Sequence, residues 1–329
     1  MEIMSPLISV VVPHLNQSGF LEACLSSLDA QTLERGRFEV IVVDNGSIEP
    51  PAAVVSRHEA ARLLEETEPG PGKARNRGVL DAAAPVLAFI DADCRAHPDW
   101  LRAALRAIDA SKDKTILGGD VQIWKSGNGE MTAIAAYENV FAYRFKLYIE
   151  QHGFSGTGNL VVRRVDFDKV GPFAGIRVAE DVDWGRRALA AGYKFKYVRE
   201  MIVYHPARQS LGELFVKWDR HLQHSVNSSN QTFGWRIRWI ARALAVAASP
   251  AIDWRQVIFT DRLQGLSPRA KAMSVLIAVR FYRFWRMLVL LNSDTGVVWN
   301  RDGRAVYSEV LEKGPEKRER NAADRADLH

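Results

Sequence analysis

The chain has 329 residues, 47% of them hydrophobic and 25% charged, with a net charge of +5. This composition is typical of a globular protein with a sizeable core and excludes disorder of the whole chain. Only two cysteines are present, Cys24 and Cys94, and no Cys/His spacing typical of zinc sites occurs, so we expect two reduced core thiols. The amino terminus has no basic leader and Pro13 ends its apolar stretch, which predicts cytoplasmic residence.

Apolar runs alternate with helical patterns over the first part of the chain, which predicts βαβ units and a mostly parallel sheet. We predict four strands, at residues 8–12, 38–43, 61–65 and 86–90. The helical spacing of four apolar residues predicts a helix between the first two strands: Leu21, Cys24, Leu25 and Leu28.

Polar residues follow three of these strands. The clusters are Pro13-His14-Leu15-Asn16, Asp44-Asn45-Gly46-Ser47 and Asp91-Ala92-Asp93. Because ligands of open α/β sheets bind at the carboxyl ends of the strands, we expect all three clusters at one ligand-binding edge. The paired carboxylates of Asp91 and Asp93 indicate a hard cation, Mg²⁺ or Mn²⁺, that holds a diphosphate. A solvated Asp-x-Asp turn is the alternative.

A glycine-containing loop with three cations, residues 70–78, lies between the third and fourth strands. Such a loop can bring backbone N–H groups and positive charge to a diphosphate, although a solvated turn explains it equally well. It is not a Walker loop, because Ala74 stands where Ser or Thr would bind Mg²⁺. The signatures of dinucleotide-binding proteins, serine hydrolases and zincins are also absent from the sequence.

A longer ordered set of motifs emerges when residues 179–188 are included. The chain contains strand-Pro-x-x-Asn, strand-Val-Asp-Asn-Gly-Ser, Ala-Arg-Asn-x-Gly, strand-Asp-x-Asp and Glu-Asp-x-Asp-x-x-x-Arg, in this order. The set resembles family 2 glycosyltransferases, the inverting nucleotide-sugar enzymes of GT-A fold, over roughly residues 7–206. The resemblance implies an α/β, Rossmann-like mixed sheet and a nucleotide-sugar donor.

On the nucleotide side, the resemblance implies six binding residues: Pro13, Asn16, Asp44, Asn45, Arg75 and Asn76. Of these, Pro13 and Asp44 would border the nucleobase, and Asp44 would accept a hydrogen bond from a uracil N–H.

On the reaction side, the resemblance implies that Asp91 lies near the ribose and the hydration shell of the metal and that Asp93 coordinates the Mn²⁺ or Mg²⁺ ion. Asp181 would be the base that accepts the proton of the attacking hydroxyl, which a single inverting displacement requires. Glu180 would hydrogen-bond the donor sugar or the acceptor. Arg187 is expected in a structural ion pair rather than in contact with the substrate. Trp184 is expected in the core, and a place in the acceptor site is the alternative.

His205 follows a predicted short strand at residues 201–204, at a place where some GT-A enzymes supply a further metal ligand. An imidazole ligand would favour Mn²⁺ over Mg²⁺. The alternative is an ordinary polar residue. The Gln-x-x-Arg-Trp signature of processive synthases is absent from the sequence, and residues 217–221 are a weak substitute for it, so long-chain polymerisation is disfavoured.

Residues 206–291 hold thirteen Lys/Arg and four Asp/Glu, whereas the rest of the chain is net negative. Three arginines, Arg280, Arg283 and Arg286, recur among aromatic residues, which predicts a helix with an arginine face opposite an aromatic face. Such a helix lies in a membrane interface, and its charges disfavour a span. One alternative is a helical appendage packed on the catalytic domain. A nucleic-acid surface is disfavoured because the aromatic residues have helical spacing, so no nucleic acid is expected as a partner.

We therefore predict a GT-A catalytic domain over residues 1–206, a basic amphipathic helical segment over 207–300 and a charged, disordered tail over 301–329. The predicted activity is metal-dependent transfer of a sugar, as in hexosyltransferases, to a lipid-linked or saccharide acceptor at the cytoplasmic face of an anionic membrane. A catalytically silent nucleotide-sugar-binding or membrane-scaffold protein and a nucleotidyltransferase are the alternatives. Residues 131–151, rich in Tyr and Phe, either shape the acceptor cleft or form helical core.

Overall fold

A computed structural model describes residues 5–124, 131–176, 178–227 and 233–291. The predicted tail at residues 301–329 lies outside the described residues.

Eight strands form one sheet in the order β3-β2-β1-β4-β7-β6-β8-β5. The strands are β1 (Ile8–His14), β2 (Phe38–Asp44), β3 (Ala61–Glu65), β4 (Val86–Phe89), β5 (Arg95–Ala96), β6 (Thr115–Ile123), β7 (Leu160–Arg163) and β8 (Lys194–His205). The four strands predicted in the first part of the chain are confirmed. The strand before His205 is much longer than predicted. Its first half is largely exposed and has no apolar run to indicate a strand, but it pairs with β6.

The sheet is mixed. β1 pairs in parallel with β2 and β4, and β2 pairs in parallel with β3. β7 is antiparallel to both β4 and β6, while β6 and β8 are parallel. It follows that β1, β2, β4, β6 and β8 all end at the same edge of the sheet. This edge is where the polar clusters of the sequence come together.

Helices cover both faces of the sheet. They are α1 (Ser18–Asp29), α2 (Ala52–Val55), α3 (Pro71–Asp81), α4 (Trp100–Asp109), α5 (Ala133–Phe141), α6 (Phe145–Leu147), α7 (Arg164–Val170) and α8 (Glu180–Ala190). α1 and α4 bury Leu21 and Trp100 on one face, and α3, α7 and α8 bury Ala74, Phe167 and Trp184 on the other. The helix-face prediction for α1 and the core prediction for Trp184 are confirmed.

A bulge interrupts the pairing of β6 with β8. The register shifts between Gly119 and Asp120, so that Gly119 pairs with Val198 and Asp120 with Ile202. The buried amide of Asn159 donates to the carbonyls of Asp120 and Met201, at 2.9 and 2.8 Å, and holds the bulge. Only a glycine fits at position 119, because a Cβ there would lie 2.3 Å from Asn159 Nδ2.

Four helices follow the sheet: α9 (Leu211–Asn227), α10 (Trp235–Ala248), α11 (Pro250–Phe259) and α12 (Leu266–Val289). The described residues up to Glu213 and Pro250–Ala278 belong to one compact unit, and Leu214–Ser249 and the described residues from Val279 onward belong to a second. Among the described residues, no helix combines the length and the apolar character needed to cross a bilayer.

Two arginines of α12, Arg283 and Arg286, turn inward, contrary to the predicted arginine face. The guanidinium of Arg283 lies 3.8 Å from the ring centroid of Trp218, and Arg286 Nε donates to Asp219 Oδ1 at 2.8 Å. Phe281 and Trp285 are instead more than half exposed. A cation can be buried when it stacks on an indole or pairs with a carboxylate. The helical pattern, which takes arginines to be solvent-exposed, therefore predicted the wrong face of α12. Trp218 and Asp219 of the 217–221 segment therefore have a packing role.

Candidate active site

The last residues of β1 and β2 form a closed hydrogen-bonded group. His14 and Asp44 are paired in register, and Asp44 accepts bonds from His14 Nδ1 at 2.9 Å, Ser47 Oγ at 2.5 Å and Ser47 N at 3.1 Å. His14 Nε2 accepts a bond from the backbone N–H of Gln17, so Nδ1 carries the proton. Burial lowers the pKa of His14 despite the hydrogen bond to Asp44, which keeps the ring neutral. The Asp44 carboxylate is thus held in one orientation.

Two asparagines shape the loops around Asp44. Asn16, with a left-handed φ of 53°, donates its N–H to Ser47 Oγ and accepts a bond from Ile48 N, both at 2.8 Å. Asn45 donates to two carbonyls after β3 at 2.9 and 2.7 Å and accepts a bond from Gly70 N at 2.6 Å. The predicted nucleotide residue Asn45 therefore positions the chain that leads into α3. Pro13 lies beside Val43 of β2.

Arg75 of α3 joins the acid motif after β4 to the acid pair that starts α8. Its side chain is almost completely buried, Nη2 donates to Asp91 Oδ1 at 2.6 Å, and Nη1 donates to Glu180 Oε1 at 3.1 Å. Gly158 approaches the other oxygen so closely that a Cβ there would lie 2.7 Å from Asp91 Oδ2. Arg75 and Gly158 therefore orient the two carboxylate oxygens of Asp91. The Asp93 carboxylate instead points toward His205.

Asp93 faces His205, which ends β8. Asp93 Oδ2 lies 3.3 Å from His205 Nε2, and His205 Nδ1 donates to the Pro206 carbonyl at 2.7 Å. Burial lowers the pKa of His205, but the charge of Asp93 and the hydrogen bond between them outweigh it and raise the pKa. The Tyr143 hydroxyl lies 2.9 Å from the same Nε2 atom, and Tyr143 has a left-handed φ of 49°. Two residues far apart in sequence thus orient this imidazole.

The Asp93–His205 pair fits a hard divalent cation. Neighbouring ligands of an octahedral ion with bonds of about 2.1 Å lie about 3.0 Å apart, close to the observed 3.3 Å. Cys94 Sγ also lies within 4.8 Å of both ligand atoms. Burial, followed by the charges of Asp93 and Asp91, raises the pKa of Cys94, so the thiol stays protonated, whereas metals bind the thiolate. Asp93 and His205 are the better ligand set.

Asp181 lies in the first turn of α8, beside Glu180. Burial, followed by the charge of Glu180, raises the pKa of Asp181. Its Oδ1 accepts a bond from Val182 N at 2.8 Å, and this bond and one from its own backbone N–H do not outweigh the effect of burial. A carboxylate with a raised pKa and few bonds to the protein is suited to accept a proton.

The loop before α8 is anchored by two side chains. The amide of Asn76 donates to Phe173 O at 2.9 Å and accepts from Phe173 N at 2.8 Å. Arg187 pairs with Asp183 at 3.0 Å and donates to the carbonyls of Val170 and Pro172, both at 2.7 Å. The predicted structural ion pair of Arg187 is confirmed. Asn76, predicted to face the nucleotide, has its amide occupied by the backbone of Phe173.

Sequence patterns did not mark every residue at the site. Tyr143 belongs to no motif, and its contact with His205 spans 62 positions. His14 and Ser47 stand inside recognised motifs, but their bonds to Asp44 depend on the register of β1 with β2. Only a prediction of the register between β1 and β2 would have revealed that His14 and Ser47 bond to Asp44.

The mixed sheet, with acid clusters at its carboxyl edge, has the architecture of the GT-A fold. Residues 9–180 match the model of the family described as Glycosyl transferase family 2. Glycosyltransferase AglE of Haloferax volcanii is 32% identical over 218 residues, which are 64% of this chain and 70% of AglE. Amylovoran biosynthesis glycosyltransferase AmsB of Erwinia amylovora is 29% identical over 213 residues, which are 60% of this chain and 69% of AmsB.

Among solved structures, mannosyltransferase PcManGT from Pyrobaculum calidifontis, in complex with GDP-Man and Mn²⁺, has a TM-score of 0.51. It is 18% identical, and the match covers 86% of this chain and 88% of PcManGT, which supports the fold. The chain belongs to glycosyl transferase family 2, and its activity is glycosyl transfer. The family match ends one residue before Asp181 and does not reach His205.

Proposed function

We propose that the protein is a metal-dependent inverting transferase of the hexosyltransferase type, which moves a sugar from a UDP-sugar to an acceptor hydroxyl. The observation that carries the proposal is the Asp91–Arg75–Glu180 chain of contacts. The buried guanidinium of Arg75 contacts Asp91, which belongs to the acid motif suited to the donor diphosphate. It also contacts Glu180, which belongs to the acid pair suited to the transfer step.

The nucleotide side supports a donor with a pyrimidine N–H. A carboxylate offers about four lone-pair positions, and Asp44 uses three of them on His14 and Ser47. The fourth is available for the uracil N–H that the family resemblance implies. We infer from the buried, fixed position of Asp44 that this contact is preformed rather than induced.

Asp93 and His205 would hold Mn²⁺ or Mg²⁺, which in family members neutralises charge on the departing diphosphate. PcManGT, which shares the fold, was crystallised with GDP-Man and Mn²⁺ and supports the use of a divalent ion and a nucleotide sugar. The imidazole ligand favours Mn²⁺. Asp91, fixed by Arg75, would lie behind this pair at the ribose.

In the transfer step, Asp181 would accept the proton of the acceptor hydroxyl as its oxygen attacks the anomeric carbon on the side opposite the leaving group. One displacement of this kind inverts the configuration of the sugar. Glu180, oriented by Arg75, would hydrogen-bond the donor sugar or the acceptor and raise the proton affinity of Asp181 through its charge.

The test is release of nucleoside diphosphate from UDP-, GDP- and dTDP-sugars with Mn²⁺ or EDTA, with and without a membrane lipid extract. We expect Mn²⁺-dependent release of UDP that the extract stimulates. A nucleotidyltransferase would instead release pyrophosphate when it is supplied with a nucleoside triphosphate and a sugar phosphate, and it would release no nucleoside diphosphate from these donors. Donor binding without any release would identify a catalytically silent binding protein.

We further propose that the acceptor is lipid or lipid-linked and that α10 holds the protein at the cytoplasmic face of an anionic membrane. Three apolar side chains of α10 face solvent at helical spacing, Ile237, Ile240 and Leu244, with exposures of 74%, 40% and 56%. Arg236 and Arg238, both exposed, stand on either side of Ile237 in the helix. Apolar side chains bordered by cations match an anionic bilayer surface.

Vesicle co-sedimentation tests this assignment. Ile237→Asp should weaken binding to vesicles containing phosphatidylglycerol by about tenfold, because an apolar side chain worth about 1.5–3 kcal/mol is lost from the bilayer. Leu80→Asp is the matched control, since Leu80 of α3 is also 74% exposed. Equal loss in both variants, or no loss in either, would remove α10 from the membrane contact.

A further inference from the structure

A π-helical turn, Tyr148–His152, lies in a part of the chain that carries no motif. Turns of this kind are rare and occur frequently at functional sites. Ile149 is buried with Val121 and Phe145, so the sheet and the preceding helix hold the turn in place. The turn begins in the 131–151 segment, for which an acceptor cleft and helical core are the predicted alternatives.

The chain that leaves this turn packs against α8 and runs toward the first turn of that helix. Gly153 contacts Leu189, since a Cβ at position 153 would lie 2.5 Å from Leu189 Cδ1. Phe154 contacts Gly185 in the same way, since a Cβ at position 185 would lie 2.4 Å from Phe154 Cβ. Gly185 follows Asp181 by four residues, which is about 6 Å along the same face of a helix. Phe154 therefore packs about one helical turn from Asp181.

The ring of Tyr148 is fixed on Phe154. The two rings are stacked, with centroids 5.4 Å apart and an angle of 8° between their planes. The backbone N–H of Phe154 also donates to the Tyr148 carbonyl, at 3.3 Å. These contacts place the half-buried Tyr148 side chain beside the start of α8.

The Tyr148 hydroxyl keeps its proton and lies near Asp181. Burial raises the pKa of Tyr148, and the charge and backbone N–H of Arg144, which lower it, do not outweigh this effect. The charge of Asp181 raises the same pKa, so the phenol and the carboxylate are close enough to interact. Within the described part of the chain, no hydrogen bond joins the two groups. A proton donor and a proton acceptor thus lie near each other without pairing, and one polar ligand can bond to both.

We propose that Tyr148 positions the acceptor, and that its hydroxyl donates a hydrogen bond to an acceptor oxygen next to the hydroxyl that Asp181 deprotonates. The inference rests on the proposed function, in which Asp181 is the base. An acceptor that bonds to both residues carries a second oxygen beside the attacking hydroxyl, as the sugar ring of a lipid-linked saccharide does. The acceptor bound here is therefore a polyol rather than a simple alcohol.

The test compares Tyr148→Phe with the wild-type protein, each with Mn²⁺, the nucleotide sugar that the wild-type protein turns over fastest and increasing amounts of a membrane lipid extract. The variant keeps the stacked ring and loses only the hydroxyl. The amount of extract that gives half-maximal release of nucleoside diphosphate should rise about fivefold, as loss of one hydrogen bond of about 1 kcal/mol predicts. Hydrolysis of the donor without extract should change less than twofold, because the water that Asp181 would activate needs no second contact.

Tyr193→Phe is the matched control. It removes a buried hydroxyl that bonds to Asp166, beyond the carboxyl end of α8, and should change neither quantity. An unchanged half-maximal amount in Tyr148→Phe, or an equal loss of transfer and hydrolysis, would overturn the role of Tyr148, while turnover by the wild-type protein keeps the proposed function. No release from any donor by the wild-type protein would instead contradict the proposed function, and the role of Tyr148 with it.

Discussion

The proposed nucleotide side and the proposed acceptor side of the site are built in different ways. On the nucleotide side, Asp44 and Asn45 each make three short hydrogen bonds within loops that directly follow parallel strands. On the acceptor side, Tyr143 adopts a left-handed conformation between two short helices, and a π-helical turn follows at Tyr148–His152.

The half of the site that contains Asp44 and Asn45 is held in place by hydrogen bonds between residues of the family motifs. The loops that position Asp44 and Asn45 are the segments that carry the family resemblance. Tyr143 lies in a segment without a motif. We therefore expect substitutions on the nucleotide side to affect stability and donor binding, and substitutions on the acceptor side to affect acceptor use.

The largest expected effect is that of Asp181→Asn. Loss of the proposed base should lower the rate of transfer about 1000-fold, because general-base catalysis contributes about 10²–10⁴-fold. Binding of UDP with Mn²⁺ should change less than twofold, since Asp181 contacts neither proposed metal ligand. The measurement is nucleoside-diphosphate release alongside calorimetric UDP binding. A rate within tenfold of the wild-type value would exclude Asp181 as the base.

Two buried asparagines provide a direct comparison of the two sides. Asn45→Ala removes three hydrogen bonds and should lower the free energy of unfolding by about 2–4 kcal/mol. Asn139 on the acceptor side is equally buried, but its only described side-chain contact is with Met131 Sδ at 3.8 Å, so Asn139→Ala should cost less than about 1 kcal/mol. Urea unfolding at unchanged m-value measures both. Equal losses would show that the nucleotide side is no better preorganised.

The sequence predicted the first four strands, the end of β8 and the edge at which the polar clusters meet, because periodicity and turn residues are local signals. Contacts such as Arg75 with Glu180, 105 positions apart, depend on how the elements pack and have no local signal. The bulge at Gly119 is equally nonlocal, since it is held by Asn159 of another segment. The arginine face of α12 was mispredicted because burial of Arg283 requires Trp218 of a different helix.

The smallest expected effect concerns pH. His205 Nε2 must lose its proton to bind a metal, and Asp93 raises the pKa of His205 above its usual value of 6.5. Affinity for Mn²⁺ should therefore fall as pH is lowered through this raised pKa, by about tenfold per unit below it. Electron paramagnetic resonance of free Mn²⁺ measures this affinity. His205→Gln should bind Mn²⁺ more weakly at pH 8 and lose the pH dependence, and an unchanged slope in this variant would exclude His205 as a ligand.

The most direct test of the proposed donor site is calorimetric titration of UDP into the wild-type protein and Asp93→Ala, each with Mn²⁺ and with EDTA. We predict that Mn²⁺ strengthens UDP binding by about tenfold or more in the wild-type protein, because the ion joins the diphosphate to Asp93 and His205. In Asp93→Ala, the difference between Mn²⁺ and EDTA should be less than twofold. An equal Mn²⁺ effect in both proteins would contradict the assignment of Asp93 to the metal and the donor site built on it.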